Sequence, residues 1–74
     1  MKFTINKVTH VRKAYDENDK CVAVFGFVQD LLDCGILEYA AKGTEHKVVV
    51  VYTDYSLKEY ETIAEAKQAL SGVA

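Results

Sequence analysis

The sequence predicts an α+β fold: a two-layer sandwich with a four-stranded, mainly antiparallel sheet and two helices on one face, in the order β-β-α-β-β-α. Three observations predict it. Val48-Val49-Val50-Val51-Tyr52 is an unbroken β-branched run. Apolar residues recur at helical spacing twice, in 29–42 and again after Thr62. Polar clusters such as Asp16-Glu17-Asn18-Asp19 separate the apolar stretches, as turns do.

Taken in order, Phe3, Ile5, Val8 and Val11 mark a first strand. Their parity changes between Ile5 and Val8, which predicts a bulge near Asn6-Lys7. Cys21 to Val28 is apolar at nearly every position, as in a strand covered on both faces, so residues 2–28 read as one hairpin. Leu32, Ile36 and Tyr39 then fall on one helical face, and Lys42 followed by Gly43 ends a helix predicted over 29–42. Gly35 inside that span works against it, at about 1 kcal/mol relative to alanine, and the alternative is a short helix ended by Gly35 with residues 36–41 starting an extended segment. The valine run reads as a central strand, Asp54-Tyr55-Ser56 as a turn, and Leu57 to Glu61 as a returning edge strand. Thr62-Ile63-Ala64-Glu65 has the pattern of a capping box. The helix it opens carries Ile63, Ala66, Leu70 and Val73 in one stripe and stops at Gly72.

At 74 residues and 8.3 kDa, residues 1–74 form a single small domain. Burial of apolar surface contributes about 110 kcal/mol, and ordering the chain costs about the same, which makes self-association a candidate source of stability. A 50% hydrophobic and 27% charged composition is that of a globular chain. No apolar run approaches membrane-spanning length, and the first residues lack a signal-peptide core. Two cysteines and no secretory signal predict reduced thiols and a cytoplasmic location.

The net charge of −2 is unevenly spread: residues 1–15 sum to +4, residues 16–45 to −5, and residues 46–74 to −1. That pattern suits neither a dedicated non-specific DNA binder nor a DNA mimic.

Chemistry-bearing arrangements are sparse. Cys21, Cys34, His10 and His46 lack the paired spacing of a structural zinc site, so no metal and no cofactor is expected. Both cysteines are expected in the core. No spacing predicts contact between Cys34 and His46 as nucleophile and base, no serine sits in a nucleophile elbow, and the four glycines form no phosphate loop. The chain is therefore expected not to be an enzyme. Asp30/Asp33 and Glu59/Glu61 are same-face carboxylate pairs, on a helix and a strand respectively. Of the five tyrosines, Tyr39 and Tyr52 are expected in the core, and Tyr15, Tyr55 and Tyr60 at strand ends or an edge.

These features predict a non-enzymatic protein-binding module. Its expected contacts are Tyr55, Tyr60, Glu59 and Glu61 around the second hairpin, with the acidic tip of Asp16, Glu17 and Asp19. In size and economy the chain is similar to small proteins of phages and mobile elements. That resemblance implies an inhibitor occluding a functional surface of a host protein, such as a defence nuclease. Two alternatives stand beside it. One is an RNA or single-stranded DNA binder using Lys7, Arg12 and Lys13 on the basic first strand. The other is a small accessory protein that forms a homodimer through residues 57–61.

Overall fold

The computed structural model describes residues 1–71. Strands β1 (Lys2–Ile5), β2 (Arg12–Tyr15) and β3 (Cys21–Phe27) are followed by helix α1 (Val28–Asp33). Strands β4 (Val48–Tyr52) and β5 (Leu57–Tyr60) and helix α2 (Ile63–Ser71) follow. The five strands lie in sequence order in one sheet, every neighbouring pair antiparallel. The α+β class and the antiparallel sheet are as expected; the strand count, the helix placement and one helix length are not.

The sheet has five strands because the parity change after Ile5 is a reversal of the chain, not a bulge. Asn6 drives it. Its side-chain oxygen accepts the N–H groups of Val8 and Thr9, its own N–H donates to the Val11 carbonyl, and its carbonyl accepts from His10, which sits at φ 62°. The expected 2–28 hairpin is therefore a three-stranded meander.

The two helices lie on opposite faces of the sheet, not on one. Ala66 and Leu70 of α2 pack on Ala14, Ala23, Phe25, Val48 and Val50. Val28 and Leu31 of α1 pack on Val11 and Val49, with Val24, Val51 and Leu37 at the margin. The cause is the absence of alternation in β3 and β4. Both strands present apolar side chains on both faces, and each face needs cover.

Helix α1 is six residues long and stops at Asp33, well short of the expected 42. Gly35 adopts φ 82°, and a full Schellman closure follows: Gly35 N–H donates to the Leu32 carbonyl and Ile36 N–H to that of Leu31. Residues 34–47 then return to β4 without regular structure. Tyr39, expected in the core, lies in this segment and is 85% exposed. Cys34 is exposed and Cys21 half-buried, so neither is the core cysteine expected. Tyr52 is half-buried, as its place at the end of β4 allows.

At the start of α2 the Glu65 N–H donates to the Thr62 hydroxyl, the expected cap. The Glu65 carboxylate, however, accepts from the Glu61 N–H one residue before the threonine. Gly72 and Val73 lie outside the described residues.

Candidate functional site

Antiparallel pairing brings the β2–β3 and β4–β5 turns to the same end of the sheet, because Tyr15 pairs with Cys21 and Ala23 with Tyr52. Both are three-residue loops closed in the same way. Asp16 N–H donates to the Lys20 carbonyl and Tyr52 N–H to that of Ser56. The last loop residue is left-handed in each, Asp19 at φ 59° and Tyr55 at φ 68°. Aspartate tolerates that conformation; a bulky aromatic rarely adopts it. Side chains reinforce the loops. The Asp16 carboxylate accepts the N–H groups of Asn18 and Lys20, and the Asp54 carboxylate accepts both the N–H and the hydroxyl of Ser56. The Ser56 bonds hold the Asp54 carboxyl below its usual range.

Tyr55 is 87% exposed. It stands at the rim of a largely apolar cleft of about 300 Å³, lined also by Val24, Ile36, Val51 and Cys21. Ile36 reaches this cleft because Gly35 turns the chain back over the sheet. Leu57, paired with Val51 and more than half exposed, extends the apolar strip to the β5 edge. Glu17 and Asp19 lie exposed on the neighbouring loop, and Asp54 on the Tyr55 loop itself. The end of the sheet thus combines an apolar strip, a protruding tyrosine and an acidic surround.

The other expected contact residues lie towards the opposite end of β5. Tyr60 is half-buried, its ring packed on the α2-side core. Burial pushes the Tyr52 hydroxyl above its usual range, and the neighbouring Tyr60 hydroxyl adds to the shift. Glu61 pairs with Lys47, whose ammonium also stands 4.0 Å from Glu59. The Glu61 carboxyl is lowered by its hydrogen bond and charge interaction with Lys47, and the Lys47 ammonium is raised by the same bond. Among the seven expected contacts, the structure places Tyr55 at the same end of the sheet as Asp16, Glu17 and Asp19, although Asp16 and Glu17 line a separate cleft with Met1, Leu70 and Ser71. It engages Glu59, Glu61 and Tyr60 with other parts of the chain.

The basic residues of the first segment do not share a face. Arg12 opposes Ile5 on the α2 side, Lys13 opposes Thr4 on the α1 side, and Lys7 lies in the β1–β2 loop. A second cleft, of about 270 Å³, is lined by His10, Asp30, Asp33 and Cys34. Here the Cys34 thiol donates to the Leu31 carbonyl and Asp33 accepts from the Gln29 amide. Among the described residues, no group of three or more histidine, cysteine or carboxylate side chains is placed to hold a metal ion. Likewise, no helix among them is long and apolar enough to cross a membrane.

The apolar strip is not visible in the sequence pattern, which places Ile36 on one face of a long helix and Leu57 in an edge strand. The available signal was Gly35, whose position before Ile36 fits a helix end. The chain matches no family model, no curated protein and no solved structure.

Proposed function

We propose that this protein is a non-enzymatic binding module that recognises another protein through the Tyr55 end of its sheet. The single observation behind this reading is Tyr55 itself: a large aromatic, almost fully exposed, held at positive φ beside an apolar cleft. The three-residue hairpin requires a left-handed residue at this position but does not require tyrosine there, and a bulky aromatic where folding favours Asn, Asp or Gly points to function. Tyrosine offers wide contact area with few torsions to freeze, which makes it an effective anchor.

In this reading the ring and the strip of Ile36, Val51 and Leu57 desolvate at the centre of the contact. Glu17, Asp19 and Asp54 form a rim that attracts a basic partner surface and raises the association rate. The mechanism is occlusion of that surface, as in an inhibitor of the phage or mobile-element type acting on a host protein such as a nuclease. Location in the cytoplasm belongs to the same proposal.

The test is site-specific photo-crosslinking in a lysate, with the reactive group at position 55 or, as control, at Gln68 on the outer face of α2. A discrete adduct with one protein from position 55, absent from position 68 and suppressed by Ile36→Asp, supports the reading. Indistinguishable adduct patterns from the two positions would refute it.

A further inference from the structure

We propose that β1 is a self-pairing edge, through which two copies of this chain join antiparallel into one continuous ten-stranded sheet. The inference starts from which backbone groups each edge leaves open. Asn6 N–H donates to the Val11 carbonyl at 2.9 Å. Hydrogen-bonded and non-bonded pairs alternate in an antiparallel ladder, so Thr4 bonds inward to Lys13. Phe3 and Ile5 therefore direct their N–H and C=O groups outward. A two-fold axis through Thr4, perpendicular to the sheet, sets Phe3 against the second copy's Ile5 and Ile5 against its Phe3. Four backbone hydrogen bonds result, with Thr4 facing Thr4 across the axis.

The side chains agree with that register. Phe3 and Ile5 lie on the α2 side, where Phe3 packs edge-on to Phe25 at 5.7 Å and Ile5 is 46% exposed. A cleft of about 220 Å³ opens between Phe3, Ile5, Arg12 and Lys67 at this edge. The second copy's Ile5 would lie beside Phe3 there. Lys2 would oppose Asn6, so no like charges meet directly, and facing threonines are a favourable cross-strand pair.

The other edge fails the same examination. Tyr52 N–H donates to the Ser56 carbonyl, so β5 directs Leu57 and Glu59 outward. The two-fold register that pairs both of them sets Lys58 against Lys58. Moving the axis one residue sets Glu59 against Glu59 in one direction, and in the other sets Leu57 against Leu57 with Glu59 opposite the left-handed Tyr55 of the loop, which leaves a single regular strand pair. Like charges thus meet directly in the first two of those β5 registers, whereas in the β1 register Arg12 and Lys67 flank the seam but no charged side chain faces its own copy. The symmetric β1 pair is closed and cannot grow into a filament. It also places the two Tyr55 ends pointing in opposite directions, a bivalent arrangement for the reading proposed above, although the pairing does not depend on that reading.

A four-residue edge buries well under the roughly 1,200 Å² of a standard interface, so the pair is expected to be weak, with Kd on the order of 100 µM. Sedimentation equilibrium should give 8.3 kDa at about 1 µM and move towards twice that mass by about 1 mM. Thr4→Lys, at an exposed position, should weaken association by about tenfold or more by facing two ammonium groups at the axis. Gln68→Ala, on the outer face of α2 and away from both sheet edges, should leave it unchanged. In the unaltered protein, amide exchange of Phe3 and Ile5 should slow with concentration while that of Leu57 and Glu59 does not. A mass of 8.3 kDa throughout the range, a mass that climbs past the dimer, or protection appearing at Leu57 and Glu59 would each overturn the proposal.

Discussion

Among the described residues, three other than glycine hold positive φ, and each closes a hairpin: His10, Asp19 and Tyr55. Aspartate and, less readily, histidine occupy that region without much strain, but tyrosine pays roughly 1–2 kcal/mol for it. Tyr55→Asn should therefore raise folding stability by about 1 kcal/mol and the midpoint of thermal unfolding by about 4–8 °C, read by calorimetry. The same change should weaken partner binding by about 2 kcal/mol if the ring is an anchor. A stabilised variant that binds as before would separate the strain from the function. Glu61 and Lys47 yield a pH prediction. The Glu61 pKa is lowered on folding, so its contribution is complete above the ordinary glutamate value of 4.5 and is lost as pH falls through the lower folded value. The Lys47 pKa is raised on folding, so its contribution is complete below 10.5 and is lost as pH climbs through the higher folded value. Urea titrations of Lys47→Met should show a shallower loss of stability on acidification than the unaltered chain, with the difference closing at the lowest pH.

At the scale of elements, α1 is the most informative because its length is decided by one residue. The closure at Gly35 meets no steric obstacle: a β-carbon there would touch nothing within 4 Å. Gly35→Ala should therefore cost about 1 kcal/mol from backbone strain alone, measured by urea denaturation, and Gly35→Asn distinctly less. A neutral result for alanine would mean that the helix end relaxes freely. Strands with strong local signals were legible in the sequence: β3, β4, β5 and the Thr62 cap lie where periodicity and turn chemistry put them. Two features were not. Asn6 ends β1 through side-chain bonds to Val8 and Thr9, and the surrounding β-branched residues mask that turn. The spacing of Leu32, Ile36 and Tyr39 fits a helix, yet a helical pattern cannot register that the chain leaves the helix at Gly35. The site was legible to the same extent. Tyr55 and the acidic loop follow from turn chemistry, whereas the cleft beside them depends on the return of Ile36 over the sheet.

For the whole molecule, the decisive fact is that a single sheet with apolar residues on both faces divides the interior in two. The α2 side is closed by a capped nine-residue helix and holds the fully buried Phe25, Val48 and Val50. The α1 side is closed by six helical residues and an irregular segment, with only Val28 and Leu31 contributed as fully buried cover. Regions with few buried apolar contacts open below the global unfolding free energy, so α1 and residues 34–47 should form the less stable unit. Leu31 anchors that unit twice, through its side chain in the core and through its carbonyl in the helix closure. Leu31→Ala should cost about 2–5 kcal/mol. Against the roughly 4–11 kcal/mol expected for a chain of this length, that is a large share of the total. If the two sides are separable, native-state hydrogen exchange of this variant should show the Gly35, Ile36 and Leu37 amides exchanging near their unprotected rates. The Phe25 and Val50 amides should still exchange only through global unfolding. Because Ile36 lines the cleft beside Tyr55, the same variant should lose partner affinity before it loses the sheet. Uniform loss of protection across both sides would instead mean that the sheet couples the two cores into one cooperative unit.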